Sequence, residues 1–227
     1  MEVVFLPRDF HQVKETESWR VRTIFSKDQS GTSTSPGAEF RPLEINEITL
    51  GQNKSISASI SPGFNSLIVP LAGEVIVKQK DFVSYVEPGQ LLHLSAGHTP
   101  DMAFQNNSPG DPILFLEIKY ADPSDKVYRE IHPVIQDHAY QQMQDTLLSA
   151  GVTLSIGRFE GRSDYSFDIN QETQIISYII SGAFEFEHRL MEAGDVISLS
   201  RMEKRELEFE SLSTEGILCI LKLQSGN

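Results

Sequence analysis

The sequence predicts an all-β protein made of two tandem barrels. Three observations carry that prediction: an internal repeat, strands with a period of two, and turn residues at regular spacing. The 227 residues leave room for two domains of about 100 residues each.

The repeat has three elements in the same order, offset by a little over 100 residues. Leu67-Ile68-Val69-Pro70-Leu71-Ala72-Gly73-Glu74-Val75-Ile76-Val77 resembles Ile175-Ile176-Ser177-Tyr178-Ile179-Ile180-Ser181-Gly182-Ala183-Phe184-Glu185-Phe186. Val86-Glu87-Pro88-Gly89-Gln90-Leu91-Leu92-His93-Leu94-Ser95 parallels Met191-Glu192-Ala193-Gly194-Asp195-Val196-Ile197-Ser198-Leu199-Ser200. Pro112–Lys119 and Gly216–Leu223 close the two units. Alternation is cleanest in the second half. Phe184, Phe186 and His188 fall on one face, and Glu185 and Glu187 on the other. Arg205, Leu207 and Phe209 alternate with Glu206, Glu208 and Glu210, as in a half-buried antiparallel sheet. Residues 27–38 read as a loop rich in Ser, Thr and Gly, with a substrate lid as the alternative. Residues 121–144 read as a linker, and a short helix is expected over 134–148.

The net charge of −13 argues against partners that are polyanions. Tracking a phosphate backbone takes a basic stripe. The one basic cluster, Arg201, Lys204 and Arg205, is interrupted by Glu203 and followed by Glu206, Glu208 and Glu210. Neither nucleic acid nor an anionic membrane is expected. The N-terminal residues lack the basic region of a signal peptide, and no run approaches the roughly 20 apolar residues of a membrane span. The expected location is cytoplasmic. Cys219, the sole cysteine, lies in the apolar run Ile217–Leu221 and is expected to be a buried core thiol rather than a redox group.

The strand, Gly, strand, Pro-Gly, strand pattern of the two repeats resembles the bicupins, and the order of segments is similar to the pirin-like proteins, particularly their YhaK-type branch. Thr23-Ile24-Phe25-Ser26 resembles the N-terminal Phe-Ser signature of that family. The resemblance implies two cupin barrels of the double-stranded β-helix, or jelly-roll, type. The N-terminal domain is placed at 1–120 with its barrel at about 37–120, and the C-terminal domain at 145–227. It also implies an N-terminal segment that crosses to the second barrel. Ordinary cupins hold iron or another divalent transition metal with two His and a Glu ahead of a glycine and one His after a Gly-x5-Pro-x-Gly run. Imidazole and carboxylate suit such ions. With Gly73 as the motif glycine, the Glu position falls on Ser66 and the His pair near Ile60 and Pro62; counting from Gly89 puts the last His on Pro100. In the second repeat the Glu position is Ile175 and the His position Arg205. No metal or other cofactor is therefore expected, with iron or a related ion at a displaced site as the alternative.

Two residues stand out as pocket candidates. His98 lies two residues before Pro100, near His93 and Asp101, and an inward imidazole there could serve a displaced metal or ligand. The competing reading is a rim histidine. Arg205 replaces a motif ligand, and its guanidinium could hold a carboxylate or phosphate, or pair with an internal acid. His11, His132, His138 and His188 read as surface histidines. No Gly-x-Ser-x-Gly elbow and no phosphate loop occurs, so no catalytic residue is assigned. The reading that follows is a non-catalytic small-molecule-binding or regulatory protein, monomer or homodimer. The alternatives are a quercetin-dioxygenase-like enzyme and a protein-interaction module.

Overall fold

The structure is a computed structural model and describes residues 2–26, 43–95, 101–122, 128–133, 146–149, 151–169, 173–201 and 206–224. The strands begin with β1 (Glu2–Leu6), β2 (Gln12–Glu15), β3 (Trp19–Ser26), β4 (Leu43–Leu50), β5 (Ser55–Ser59) and β6 (Phe64–Ala72). Next come β7 (Val75–Gln79), β8 (Phe82–Val86), β9 (Gln90–Ser95), β10 (Asp101–Gln105), β11 (Ile113–Ala121) and β12 (Arg129–Pro133). The remainder are β13 (Thr146–Ser149), β14 (Val152–Glu160), β15 (Ser163–Asp168), β16 (Thr173–Ser181) and β17 (Ala183–Phe186). They end with β18 (Arg189–Glu192), β19 (Val196–Ser200), β20 (Glu206–Ser211) and β21 (Glu215–Gln224). Arg8–Phe10 is the one helical turn among the described residues, so no helix there is long and apolar enough to cross a membrane.

Two units share this material. In the first, a seven-stranded sheet, β12-β9-β6-β11-β4-β3-β2, accompanies a four-stranded sheet, β5-β10-β7-β8. A core of Ile48, Leu50, Ile60, Ile68, Val75, Val77, Leu92, Leu94, Phe104 and Phe115 fills the space between them. In the second, β1-β19-β16-β21-β14-β13 accompanies β15-β20-β17-β18 around Phe159, Ile175, Ile179, Phe184, Phe186, Ile197, Leu207, Phe209 and Leu218. From β4 to β11 and from β14 to β21 the chain passes repeatedly between the two sheets of a unit, so the core forms between sheets whose strands interleave in sequence.

The repeat has a backbone reason. Gly73 and Gly182 have φ of 76° and 85°, and Gly89 and Gly194 have φ of 89° and 97°. These are left-handed corners that admit glycine at little cost. They recur because each unit needs the same two bends. One tight turn of the second unit uses no glycine. Glu187 and His188, with φ of 45° and 61°, close the hairpin between Phe186 and Arg189. Both central residues of such a two-residue turn are left-handed. Alternation therefore stops at Phe186, and His188 leaves the Phe184 face to stand 97% exposed.

Residues 129–133, within the stretch expected as a linker, form β12 on the edge of β9. β1 pairs with β19, from Glu2 opposite Ser200 to Leu6 opposite Val196, so residues 2–11 group with the second unit. The exposed edges of β9 and β19 are what these segments cover. The helix expected over 134–148 is not formed at its end, where Thr146–Ser149 is a strand; residues 134–145 and the loop 27–38 lie outside the described residues.

Replacing Gly182 tests the corner. An added Cβ would come within 2.9 Å of the Gly216 Cα and 3.1 Å of the Glu215 carbonyl oxygen. At Gly63, with φ of 77°, it would meet nothing within 4 Å. Gly63→Ala is expected to lower stability by about 1 kcal/mol through backbone strain alone. Gly182→Ala should cost more, about 2–4 kcal/mol. Urea unfolding of both variants measures the gap, and equal losses would show that the close approach at Gly182 does not matter.

Candidate functional site

The inward face of the seven-stranded sheet changes character along its strands. On β11, Ile113 and Phe115 point into the core, and the same face continues with Glu117 and Lys119. On β4, Leu50 and Ile48 are followed by Asn46 and Glu44. Register makes these residues neighbours. Lys119 stands between Glu44 and Ser66, and Glu117 between Asn46 and Ile68. Thr23 reaches the group from β3 opposite Asn46.

The bonds are specific. Thr23 Oγ1 donates to Asn46 Oδ1 at 2.9 Å, and Asn46 Nδ2 donates to Glu44 Oε1 at 2.6 Å and to Glu117 Oε2 at 3.5 Å. The Lys119 ammonium lies 3.2 Å from Glu117 Oε2. Glu117 is 2% exposed, and burial holds its pKa above the ordinary carboxylate value although Lys119 and Asn46 pull the other way. Its second oxygen, Oε1, and the Ser66 hydroxyl are buried with no hydrogen-bond partner among the described residues. Both atoms lie in the rows that adjoin Lys119.

The second unit keeps the lysine and loses the rest. Lys222 stands opposite Ile175 and Thr153, as Lys119 stands opposite Ser66 and Glu44. Around it the same face carries Ser155, Ser177 and the apolar Ile220 and Leu218. Aromatic rings fill the remaining interior; Phe186 stacks on Phe209 with centroids 4.9 Å apart.

A second polar chain runs on the outward face of the first unit's large sheet. Asn65 Nδ2 donates to Asp122 Oδ2 at 2.8 Å and to the Tyr120 hydroxyl at 3.3 Å. Tyr120 Oη lies 2.9 Å from His93 Nε2. Nε2 accepts from the hydroxyl or donates to it according to the tautomer of the ring, whose other nitrogen is Nδ1. That Nδ1 is buried without a hydrogen-bond partner. The Tyr128 ring stacks on His93 at 4.2 Å. His93 is fully buried, and its pKa is pushed down to about 4, first by burial, then by His132, against the pull of Asp122.

No protein-family model matches this sequence, and no curated protein matches it. Solved structures do. The pirin YhhW of Escherichia coli, determined in complex with nickel(II), superposes with a TM-score of 0.77 at 13% identity, covering 99% of this chain and 100% of that one. The quercetin 2,3-dioxygenase of Acinetobacter baumannii gives 0.68 at 14% identity over 94% and 84% of the two chains. A putative glyoxylate-induced protein of Pseudomonas aeruginosa gives 0.68 at 14% over 99% and 89%. The fold is that of a bicupin. At these identities the likeness concerns the fold and leaves the activity open.

The metal of ordinary cupins does not suit the residues described at the expected ligand positions. Ile60 and Ile175 stand fully buried in the cores at two of the expected ligand positions, and Ser66 at a third. Among the described residues no group of three or more His, Cys, Asp or Glu can hold a metal ion. Around Ser66 the inward groups are two carboxylates and a fixed ammonium, and that cation already engages Glu117.

His98 and Arg205, the two residues singled out from sequence, lie outside the described residues, as do Pro100 and His138. His11 is buried rather than at the surface, with Nε2 3.3 Å from the Leu6 carbonyl oxygen. His132 is half-buried, 3.4 Å from Glu130. Cys219 is a buried free thiol whose pKa burial pushes up to about 12. The sequence reading missed Glu117, Lys119, Asn46 and Tyr120. The available signal was a Glu and a Lys two residues apart in an otherwise apolar strand, where a period of two puts both on one face.

Two measurements check these environments. Native protein at pH 8 should leave Cys219 unmodified by a thiol reagent that labels it fully in denaturant; rapid native labelling would contradict its burial. The depressed pKa of His93 means that its contribution to stability is fully present above 6.5, the ordinary value, and is lost as pH falls towards about 4. The loss amounts to up to roughly 3 kcal/mol. Urea titrations at neutral and acid pH should show a shallower pH dependence for His93→Gln than for the wild type, and identical slopes would exclude His93 as the source.

Proposed function

We propose that this bicupin is a pirin-like, non-catalytic small-molecule-binding protein of the cytoplasm that works without a metal and holds its ligand in the N-terminal barrel. The observation that carries the reading is the Lys119–Glu117–Asn46–Ser66 group inside the first unit, of which Ser66 is the residue counted to a cupin ligand position. Lys119 supplies a cation and spare N–H donors. Ser66 supplies a hydroxyl, and Glu117 Oε1 an acceptor without a partner. That set suits a small organic carboxylate that also carries a hydroxyl or amino group. The YhaK-type branch is the part of the family this reading favours, on the pattern of its segments. The acidic balance and lone buried thiol support the location.

A second reading has an observation of its own. Fold neighbours include a nickel-bound pirin and a quercetin dioxygenase, so a metal-dependent cupin enzyme with a displaced site near His98 competes.

A thermal-shift screen of small hydroxy- and amino-carboxylates should find compounds that stabilise the wild type. The shift should vanish in Lys119→Met and return in part in Lys119→Arg. A shift indifferent to Lys119 but lost in Arg205→Ala would move the site to the second barrel. Elemental analysis of untagged protein should show no stoichiometric transition metal, and quercetin should cause no oxygen uptake with added iron, manganese, nickel or copper. Bound metal lost on His98→Ala would establish the second reading instead.

A further inference from the structure

Among the described residues, the charged groups on the inward faces of β3, β4, β6 and β11 are Glu44, Glu117 and Lys119. Two carboxyls and one ammonium leave that interior with a net negative charge when all three are ionised. The other described groups around Glu117 are uncharged. β3 and β6 offer Thr23, Ser66 and Ile68, and β4 adds Asn46 beside Glu44. The four-stranded sheet across the core contributes Val75, Val77, Met102 and Phe104. Glu44 is half-buried and the Lys119 side chain is 22% exposed, whereas Glu117 is sealed at 2%. The two Glu117 oxygens differ. Oε2 accepts from Asn46 and faces the ammonium, and Oε1 has no hydrogen-bond partner among the described residues.

We infer, building on the ligand-binding reading above, that this interior takes up a hydroxycarboxylate together with one proton, which Glu117 Oε1 receives from solvent and returns when the ligand leaves. A hydroxycarboxylate adds a further negative charge to a cluster that already carries an excess of one sign. In a space of low dielectric, like charges repel far more strongly than in water. One proton removes the added charge. Of the two carboxyls, Glu117 is the one that water does not reach, so its charged form gains least from solvent. Burial already raises its pKa against the pull of Lys119 and Asn46, and Glu44 adds to the rise. On Oε1 the proton breaks no existing hydrogen bond. It turns a lone acceptor into a donor, so that the ligand's carboxylate meets an O–H and an ammonium instead of a second anion. An aminocarboxylate behaves otherwise. Its own ammonium compensates its carboxylate, and Glu117 stays ionised and accepts from it. The two ligand classes are thereby separated by pH. The first binds more tightly as pH falls, and the second does not respond.

L-Lactate and L-alanine share one carbon skeleton, and titration calorimetry with both tests it. Lactate affinity should fall about tenfold per pH unit between about pH 6 and about pH 8. Titrations in two buffers of unlike ionisation enthalpy should show about one proton taken up per lactate bound. Alanine should bind with no proton exchange and no slope over that range. Glu117→Gln keeps the shape and an acceptor for Asn46, and it should hold lactate with an affinity independent of pH. Glu44→Gln should retain the wild-type slope, whatever its effect on affinity. A slope lost in Glu44→Gln but kept in Glu117→Gln puts the proton on Glu44 and overturns the inference. So does lactate binding without proton uptake, or alanine binding where lactate does not. If no carboxylate of the thermal-shift screen binds, the ligand-binding reading itself fails, and the inference with it.

Discussion

A sheet buried on both faces leaves its polar side chains no water, and much of this protein's chemistry follows from that. β6, β11, β16 and β21 are continuous runs of buried residues. A polar group on such a strand must find a partner inside the protein or remain unsatisfied at a cost of about 1–3 kcal/mol. Arg22 meets Glu47 at 3.2 Å on the outward face of the seven-stranded sheet, and Asn65, Tyr120 and His93 form a chain there. Glu117, Lys119 and Asn46 do the same on the inward face. The exceptions matter as much. Ser66 Oγ, Glu117 Oε1, His93 Nδ1 and Ser177 Oγ are buried without hydrogen-bond partners, and the first two lie in adjoining rows of one interior.

The inward group also shows how a barrel can trade one kind of recognition for another. A transition metal needs neutral imidazoles and free carboxylates converging on one point. Here the Lys119 ammonium stands opposite Ser66, and Ile60 and Ile175 are fully buried in the two cores. Lysine persists at the matching place of the second barrel, where Lys222 stands opposite Ile175 and Thr153 rather than Ser66 and Glu44. The two interiors have therefore diverged from a shared plan, one towards a charged cluster and the other towards stacked aromatic rings.

Edges are the second constraint. β1 covers β19 and β12 covers β9, and β1 belongs to a unit that the order of residues would not assign to it. The acidic face formed where Asp164, Glu210 and Glu185 stand in one row resists association by like charge.

Sequence alone determined the all-β class, the two repeats and their order, because glycine corners and a period of two are local properties of the chain. Counting from a glycine also needs no coordinates, and it led to the expectation that Ser66 and Ile175 stand at ligand positions. Only the tertiary structure decided which polar residues meet. Glu117 and Asn46 are 71 residues apart, and Tyr120 and His93 are 27 apart; neither spacing carries a motif. Register between distant strands brings them together, and register is set by packing of the whole sheet rather than by any single segment. A period of two put His188 on the Phe184 face, but a turn intervenes and leaves it at the surface, as its place beside Arg189 led one to expect. It also gave no weight to Lys119, whose significance lies in the strands on either side of it.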